Sequence, residues 1–331
     1  MPSRIRLFDR SGILLYEPSA PAFREWVLND IGKAEFYIKA EGMEAYINYG
    51  NYITIEHDQL PTWVGNIVTP RSWVSPKVIS VNARSSMWLF GQRVGSYTQA
   101  VEGSWGEVFS QIIGIVNTIE PTLLRIGAYN DGVSFSSIVD MSNIYTYVQR
   151  ALVMAGTRID FRPVINNGTL SIYVDILPEL YSPSPLKLEE GFNVKSNSPA
   201  LMEQGEIYND VTILGVGLEQ EKYTANAIDM LSISKYGRRQ ILFSEGQSQA
   251  DVDALAVARL NQYKTPRSTI GLIALNKGGA FRYTRAGYTA AVQLKSVGYL
   301  NEGLGFKNTA YQKAVQYDDK TGEAVLVCQE I

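Results

Sequence analysis

The chain has 331 residues, 45% hydrophobic and 19% charged, which is the balance of a folded protein and more than one typical core requires. Its net charge is -3 and evenly spread: residues 1–165 carry 14 Lys+Arg against 15 Asp+Glu, the remainder 16 against 18. Without a basic excess or stripe a nucleic-acid grip is excluded, and one cysteine (Cys328) with one histidine (His57) excludes disulfide frameworks, multi-cysteine zinc sites and any site needing two imidazoles.

The start is charged every few residues and lacks the apolar stretch of a secretory leader, so synthesis and folding in a cytoplasm are expected. The longest uncharged apolar-leaning stretch, 108–119, is too short to span a bilayer.

Short strands open the chain. Residues 4–8 alternate, Ser11-Gly12 turns into 13–16, and further strands are expected over 34–39, 52–56, 63–68 and 78–83. This spacing predicts a small antiparallel barrel over 1–102. Residues 103–180 change character. Ser104 and Glu107 form a capping box, and Trp105, Val108, Phe109, Ile112 and Val116 fall on one helical face. A second helix follows Ser142 as N-cap, with Ile144, Tyr145, Val148, Ala151, Leu152 and Ala155 on one face and Gly156 at its end. A strand over 170–176 follows the Asn166-Asn167-Gly168 turn, completing an α+β insert.

Three prolines between 178 and 185 mark a linker. Beyond it a strand is expected over 209–218. A helix starts at Ser248 and Asp251, carries Val252, Leu255, Ala256, Leu260 and Tyr263 on one face, and stops before Pro266. Strands over 289–297, 311–317 and 323–329 close the chain, the last two joined by a hairpin loop at 318–322. The fold class expected is α+β, mostly β: two small barrels, 1–102 and 181–331 (the second with a helix at about 248–263), flanking the insert at 103–180.

No catalytic signature emerges. His57 has no G-x-S-x-G partner and reads as a strand-end residue, and Cys328 reads as a small hydrophobe in a strand. Glu189-Glu190, Glu219 with Glu221, and Asp318-Asp319 read as solvated acids, Asn276 to Gly279 as a flexible hairpin tip, and Arg238-Arg239 and Lys264 to Arg267 as basic clusters too small for a nucleic-acid groove. No residue is assigned to catalysis, a cofactor or a metal. Tyr46, Tyr49, Tyr52, Tyr97, Tyr129, Tyr181, Tyr223 and Tyr236 fall near turns, where interface aromatics sit.

The order of parts carries a resemblance. Leu60-Pro61-Thr62-Trp63-Val64-Gly65-Asn66-Ile67 is followed by Ala83 to Phe90 and the capped helix. Ser234-Lys235-Tyr236-Gly237-Arg238-Arg239 then precedes the Ala-rich helix 250–263 and a closing strand near Gly287. This pattern resembles the tail hub, or baseplate hub, proteins of long-tailed bacteriophages and related injection machines. The resemblance implies a homotrimer in which two similar barrels per subunit imitate a sixfold tube. It also implies a place at the virion tail tip, contacts with the tail tube or distal tail protein and with a central fibre or spike, and DNA passing without specific binding. Two other readings stay open: a receptor- or glycan-binding tail module with Trp63, Trp73 or Trp88 as a stacking platform, and a carboxylate glycosidase.

Overall fold

In the computed structural model the described residues are 3–40, 42, 45–75, 77–93, 99–129, 134–139, 143–196, 198–203, 206–217, 222–300 and 303–331. The N-terminal region consists of strands β1 (Ser3–Phe8), β2 (Leu14–Tyr16), β3 (Ser19–Ala20), β4 (Ala22–Val27), β5 (Lys33–Lys39), β6 (Tyr52–His57), β7 (Leu60–Ser75) and β8 (Val78–Ser85). Next come α1 (Trp88–Gly91), β9 (Gln99–Ser104), α2 (Trp105–Ile119), β10 (Leu124–Ile126), β11 (Ser134–Val139), α3 (Ile144–Ala155), β12 (Arg158–Asn166) and β13 (Thr169–Leu177). The chain continues through β14 (Lys187–Glu189), β15 (Ala200–Glu203), β16 (Asp210–Leu214), β17 (Thr224–Ile228), α4 (Met230–Tyr236), β18 (Gln240–Ser244), α5 (Gln249–Tyr263) and β19 (Ser268–Ala274). A 3-10 turn (Ala280–Tyr283) leads into β20 (Thr289–Leu300), β21 (Gly303–Asp318) and β22 (Glu323–Glu330).

The fold is mostly β, as the sequence predicts, but the strands do not close into barrels. They join in a 14-stranded sheet whose main path runs β15-β19-β22-β21-β4-β5-β8-β7-β6-β1-β2. The reason is β21. Along one side it pairs with β22; along the other it pairs first with β20 and then, from Ala314 to Asp318, with β4. A bulge between Gln312 and Ala314 separates the two pairings. The first and last regions of the chain thus share one hydrogen-bonded ladder.

Local chemistry explains the insert. Ser104 Oγ accepts from the Glu107 amide while Glu107 Oε2 accepts from the Ser104 amide at 2.8 Å, and these bonds hold the Glu107 carboxyl below the usual carboxylate range. The apolar face of α2 packs on α3, β13 and the outward residues Phe8, Tyr52 and Val64 of β1, β6 and β7. Helix α3 is capped by Asn143, which accepts from the Tyr145 amide; the expected cap Ser142 lies outside the described residues. Gly156 ends it with φ 61°, a left-handed conformation that glycine adopts without steric penalty. Strand β16 is shorter than expected, and Leu218 lies outside the described residues. Together with β17 and β18 it forms a three-stranded sheet, whose inner residues Val211 and Ile213 pack on Val252, Leu255, Ala256 and Leu260 of α5. Among the described residues no helix is long and apolar enough to cross a membrane.

Candidate assembly surface

Strand alternation divides the large sheet into two faces. In β5, Ala34, Phe36 and Ile38 point into the core while Lys33, Tyr37 and Lys39 are exposed. Residues directly paired across an antiparallel ladder share a face, so the exposed set can be followed by register. Lys33 and Glu35 pair with Arg84 and Asn82 on β8, and Glu35 also pairs with Phe23 on β4. Phe23 and Glu25 pair with Asp318 and Gln316 on β21, and these with Glu323 and Val325 on β22. The face then crosses β19 and ends at Met202 on β15.

Seven neighbouring strands, β8 to β15 along the sheet path, therefore present one face that no described residue covers and that passes over the joint between the chain's first and last regions. On β7, β6 and β1 the same face is covered by the insert through Phe8, Tyr52 and Val64. Its charges interleave. Ser80 Oγ and Tyr37 Oη donate to Glu35 at 3.1 and 2.6 Å, the Lys320 ammonium sits 4.6 Å from the centre of the Tyr37 ring, Gln316 donates to Glu25 at 2.7 Å, and Lys195 pairs with Glu323 at 2.9 Å. Cationic Lys33, Lys39, Arg84, Lys195 and Lys320 stand against Glu25, Glu35, Asp318 and Glu323, so the face has almost no net charge.

Two buried arginines hold the regions behind this face together. Arg24, on β4, is fully buried; its Nη1 donates to Ser3 Oγ at 2.6 Å and lies 3.5 Å from Asp319 Oδ1, while its guanidinium sits 4.9 Å from the Tyr317 ring. Asp319 also accepts from the amides of Ser3 and Ala22 at 3.1 and 2.9 Å. Arg158, at the start of β12, donates to the Gly287 carbonyl and to Ser182 Oγ, both at 2.9 Å, tying the insert to the segments around β20. Burial lowers the pKa of both guanidinium groups, the first-order cost of charge out of water.

His57 lies beside the first joint. Its Nδ1 accepts from the Gln59 amide, and its Nε2 is 3.3 Å from Tyr317 Oη. Burial, and then the nearby Arg24 charge, lower its pKa below 6.5. The folded state thus favours the neutral ring, and the unfolded chain binds the proton more readily. Stability is expected to fall as pH drops below about 6.5 and to level off once the folded ring is protonated. Melting temperature followed from about pH 7 to pH 5 should show this slope in the native chain, whereas His57→Gln should be flat there. An equal slope in both would refute the assignment.

The structure relocates several residues singled out from sequence. Asp319 is not a solvated acid: its side chain is 1% exposed. Glu190 is buried too, accepting from the Lys295 and Ser296 amides at 2.7 and 2.9 Å, whereas Asp318 stays at the hairpin loop and accepts from the Lys320 amide. Glu219 and Glu221 lie outside the described residues. Asn276 to Gly279 is not a hairpin tip but the connection from β19 to the 3-10 turn. Trp63 is 1% exposed, with Nε1 donating to the Glu25 carbonyl at 2.9 Å. Trp73 is 54% exposed near the far end of β7, and Trp88 is half-buried, edge-on to Tyr49. The three tryptophans do not make one platform. Of the tyrosines, Tyr49, Tyr129 and Tyr223 are exposed; Tyr52 is buried, Tyr46 stacks on Tyr16, Tyr181 stacks on Tyr311, Tyr236 is half-buried, and Tyr97 lies outside the described residues. Burial in β22 pushes the Cys328 thiol up to about 12. Sequence reading missed the apolar residues at the start of α4, Met230 and Leu231, the second of them 85% exposed; no periodicity marks so short a helix.

No family model matches the chain, and no curated protein matches its sequence. Solved structures do. Prophage tail protein gp18 from Listeria monocytogenes EGD-e superposes with a TM-score of 0.62 at 9% identity, covering 98% of this chain and 94% of its own. The tail protein from Neisseria meningitidis MC58 gives 0.62 at 12% identity, covering 99% and 96%. The chain has the fold of phage tail proteins. A third such protein, the 43 kDa tail protein of prophage MuSo2 from Shewanella oneidensis, gives 0.58 at 13% identity over 99% and 98% of the two chains. The tail-protein fold therefore accounts for nearly the whole chain, insert included, and the resemblance drawn from the order of parts holds at the level of fold.

Proposed function

We propose that this chain is a non-catalytic structural subunit of a phage tail tip. It forms a homotrimeric hub in which regions 1–102 and 181–331 act as two tube-type units, with the insert 103–180 buttressing them from outside. The hub closes the tail tube, contacts the tube or distal tail protein on one side and a central fibre or spike on the other, and is assembled into virions in the host cytoplasm. The uncovered sheet face, β8 to β15, lines the channel.

One observation carries the reading: a tail-protein fold over nearly the full chain presents one continuous, near-neutral sheet face across both regions. A duplex bristling with phosphates is retained by basic surfaces through counterion release. Interleaved lysines and carboxylates do not retain it, so DNA slides through.

Sedimentation and native mass measurement of the purified chain test this. A trimer, alone or on mixing with tail-tube protein, is expected, together with no retention of duplex DNA at low salt. A monomer that associates with no tail component would overturn the hub.

A further inference from the structure

An open cleft of about 510 Å³ separates α3 of the insert from the ends of β16 and β18 and from α5. Two arginines line it, and they differ. Arg259 directs its Nε–Nη2 edge at Glu245, with bonds of 2.8 and 3.0 Å. Arg162, elsewhere in the insert, uses the same edge on Asp175 at 2.7 and 3.0 Å. This edge offers two parallel N–H donors that match the two oxygens of a carboxylate.

Arg150, on α3, leaves that edge empty. Its Nε and Nη2 are shut off from solvent and have no hydrogen-bond partner among the described residues, and the guanidinium rests 5.5 Å from the Tyr147 ring. An N–H donor held out of water without an acceptor is costly. Glu245 neutralises Arg259, so among the described residues that line the cleft Arg150 leaves a net positive charge. Val153 and the exposed Val216 give apolar walls for the stem of an entering side chain.

We infer that this cleft receives an Asp or Glu side chain from a partner tail protein, whose carboxylate pairs with Arg150. Pairing turns the outer bonds of the arginine so that its empty edge meets the cleft. The occupant rests on the proposed tail role; the empty edge does not.

Thermal melting in sodium acetate against sodium chloride at equal ionic strength tests the chemistry, with acetate as the carboxylate probe. In chloride, Arg150→Met is expected to melt a few degrees above the native chain, because two buried donors without acceptors are removed. Acetate should raise the native melting temperature in a saturable way and leave Arg150→Met unmoved. Arg150→Lys keeps the charge without the planar edge and should lose most of the response. A lower melting temperature for Arg150→Met would show the edge already satisfied within the chain and overturn the inference, as would an equal acetate response in both. Incorporation into tails tests the occupant: at least a tenfold loss is expected for Arg150→Met. Unchanged incorporation would overturn the docking while leaving the tail role intact; a native chain absent from tails would overturn the tail role and the occupant with it.

Discussion

Replacing Asp319 by alanine is expected to destabilise the protein by about 3–5 kcal/mol, the usual cost of removing one member of a buried ion pair. The substitution strands Arg24 in a site that water does not reach, and it also removes the acceptor for the Ser3 and Ala22 amides. Two of the three Arg24 guanidinium nitrogens already lack a hydrogen-bond partner among the described residues, and the remaining bond to Ser3 Oγ brings no negative charge. The reverse deletion is expected to be milder. In Arg24→Met the side-chain volume is kept, and Asp319 retains its bonds from Ser3 and Ala22. Chemical denaturation of the two variants reads the asymmetry directly. Equal losses would show that the joint is held by packing rather than by the charge pair.

Arg158→Ala is expected to cost about 3 kcal/mol, the sum of a packing void and two bonds from a charged donor. Here the arginine is the donor and the acceptors are the Gly287 carbonyl and Ser182 Oγ. Gly287 takes φ +82°, and a Cβ there would stand 2.7 Å from Arg158 Cδ, so the turn is shaped around the arginine. Beside it the Ser182 N–H donates to the Gly287 carbonyl and the Thr289 N–H donates to the Ser182 carbonyl. Arg158→Met keeps much of the volume and isolates the hydrogen-bond share, expected at about 1–3 kcal/mol. Urea midpoints measure the loss, and faster proteolysis near 178–186 in Arg158→Ala would locate it at the joint. A loss below about 1 kcal/mol would refute the role given to Arg158.

Features decided by near neighbours were legible in the sequence. The Ser104–Glu107 box, the alternation of β5 and the strands at 289–297 and 323–329 depend on residues a few positions apart and form as expected, whereas the strand expected over 311–317 begins at Gly303. Features decided across the chain were not. Strand β4, Ala22–Val27, carries Arg24 on its core side, and Ser3, the Tyr317 ring and Asp319, 316 residues from Ser3, make that arginine tolerable. Asp319 looked like a loop acid for the same reason. Strand β17, with two alanines and an asparagine, carries weak strand preference, whereas β18 alternates with Ile241 and Phe243 turned toward α5 but is only five residues long. The absence of barrel closure follows from the β21–β4 ladder, which joins residues 314–318 to 23–27 and leaves no local mark. Of the candidate surface, the exposure of Trp73 and the burial of Trp63 could not be separated, because both lie on one long strand, β7.

Strand β21 fixes how the protein answers mechanical load. It is bonded to β22 along one side and, in series, to β20 and β4 along the other. Its two halves cannot swing apart about a flexible tether, because the backbone itself is the connection. Pulling the chain's first and last regions past one another would shear many hydrogen bonds at once instead of opening them singly, so a thrust along this strand travels through the molecule as through a stiff beam.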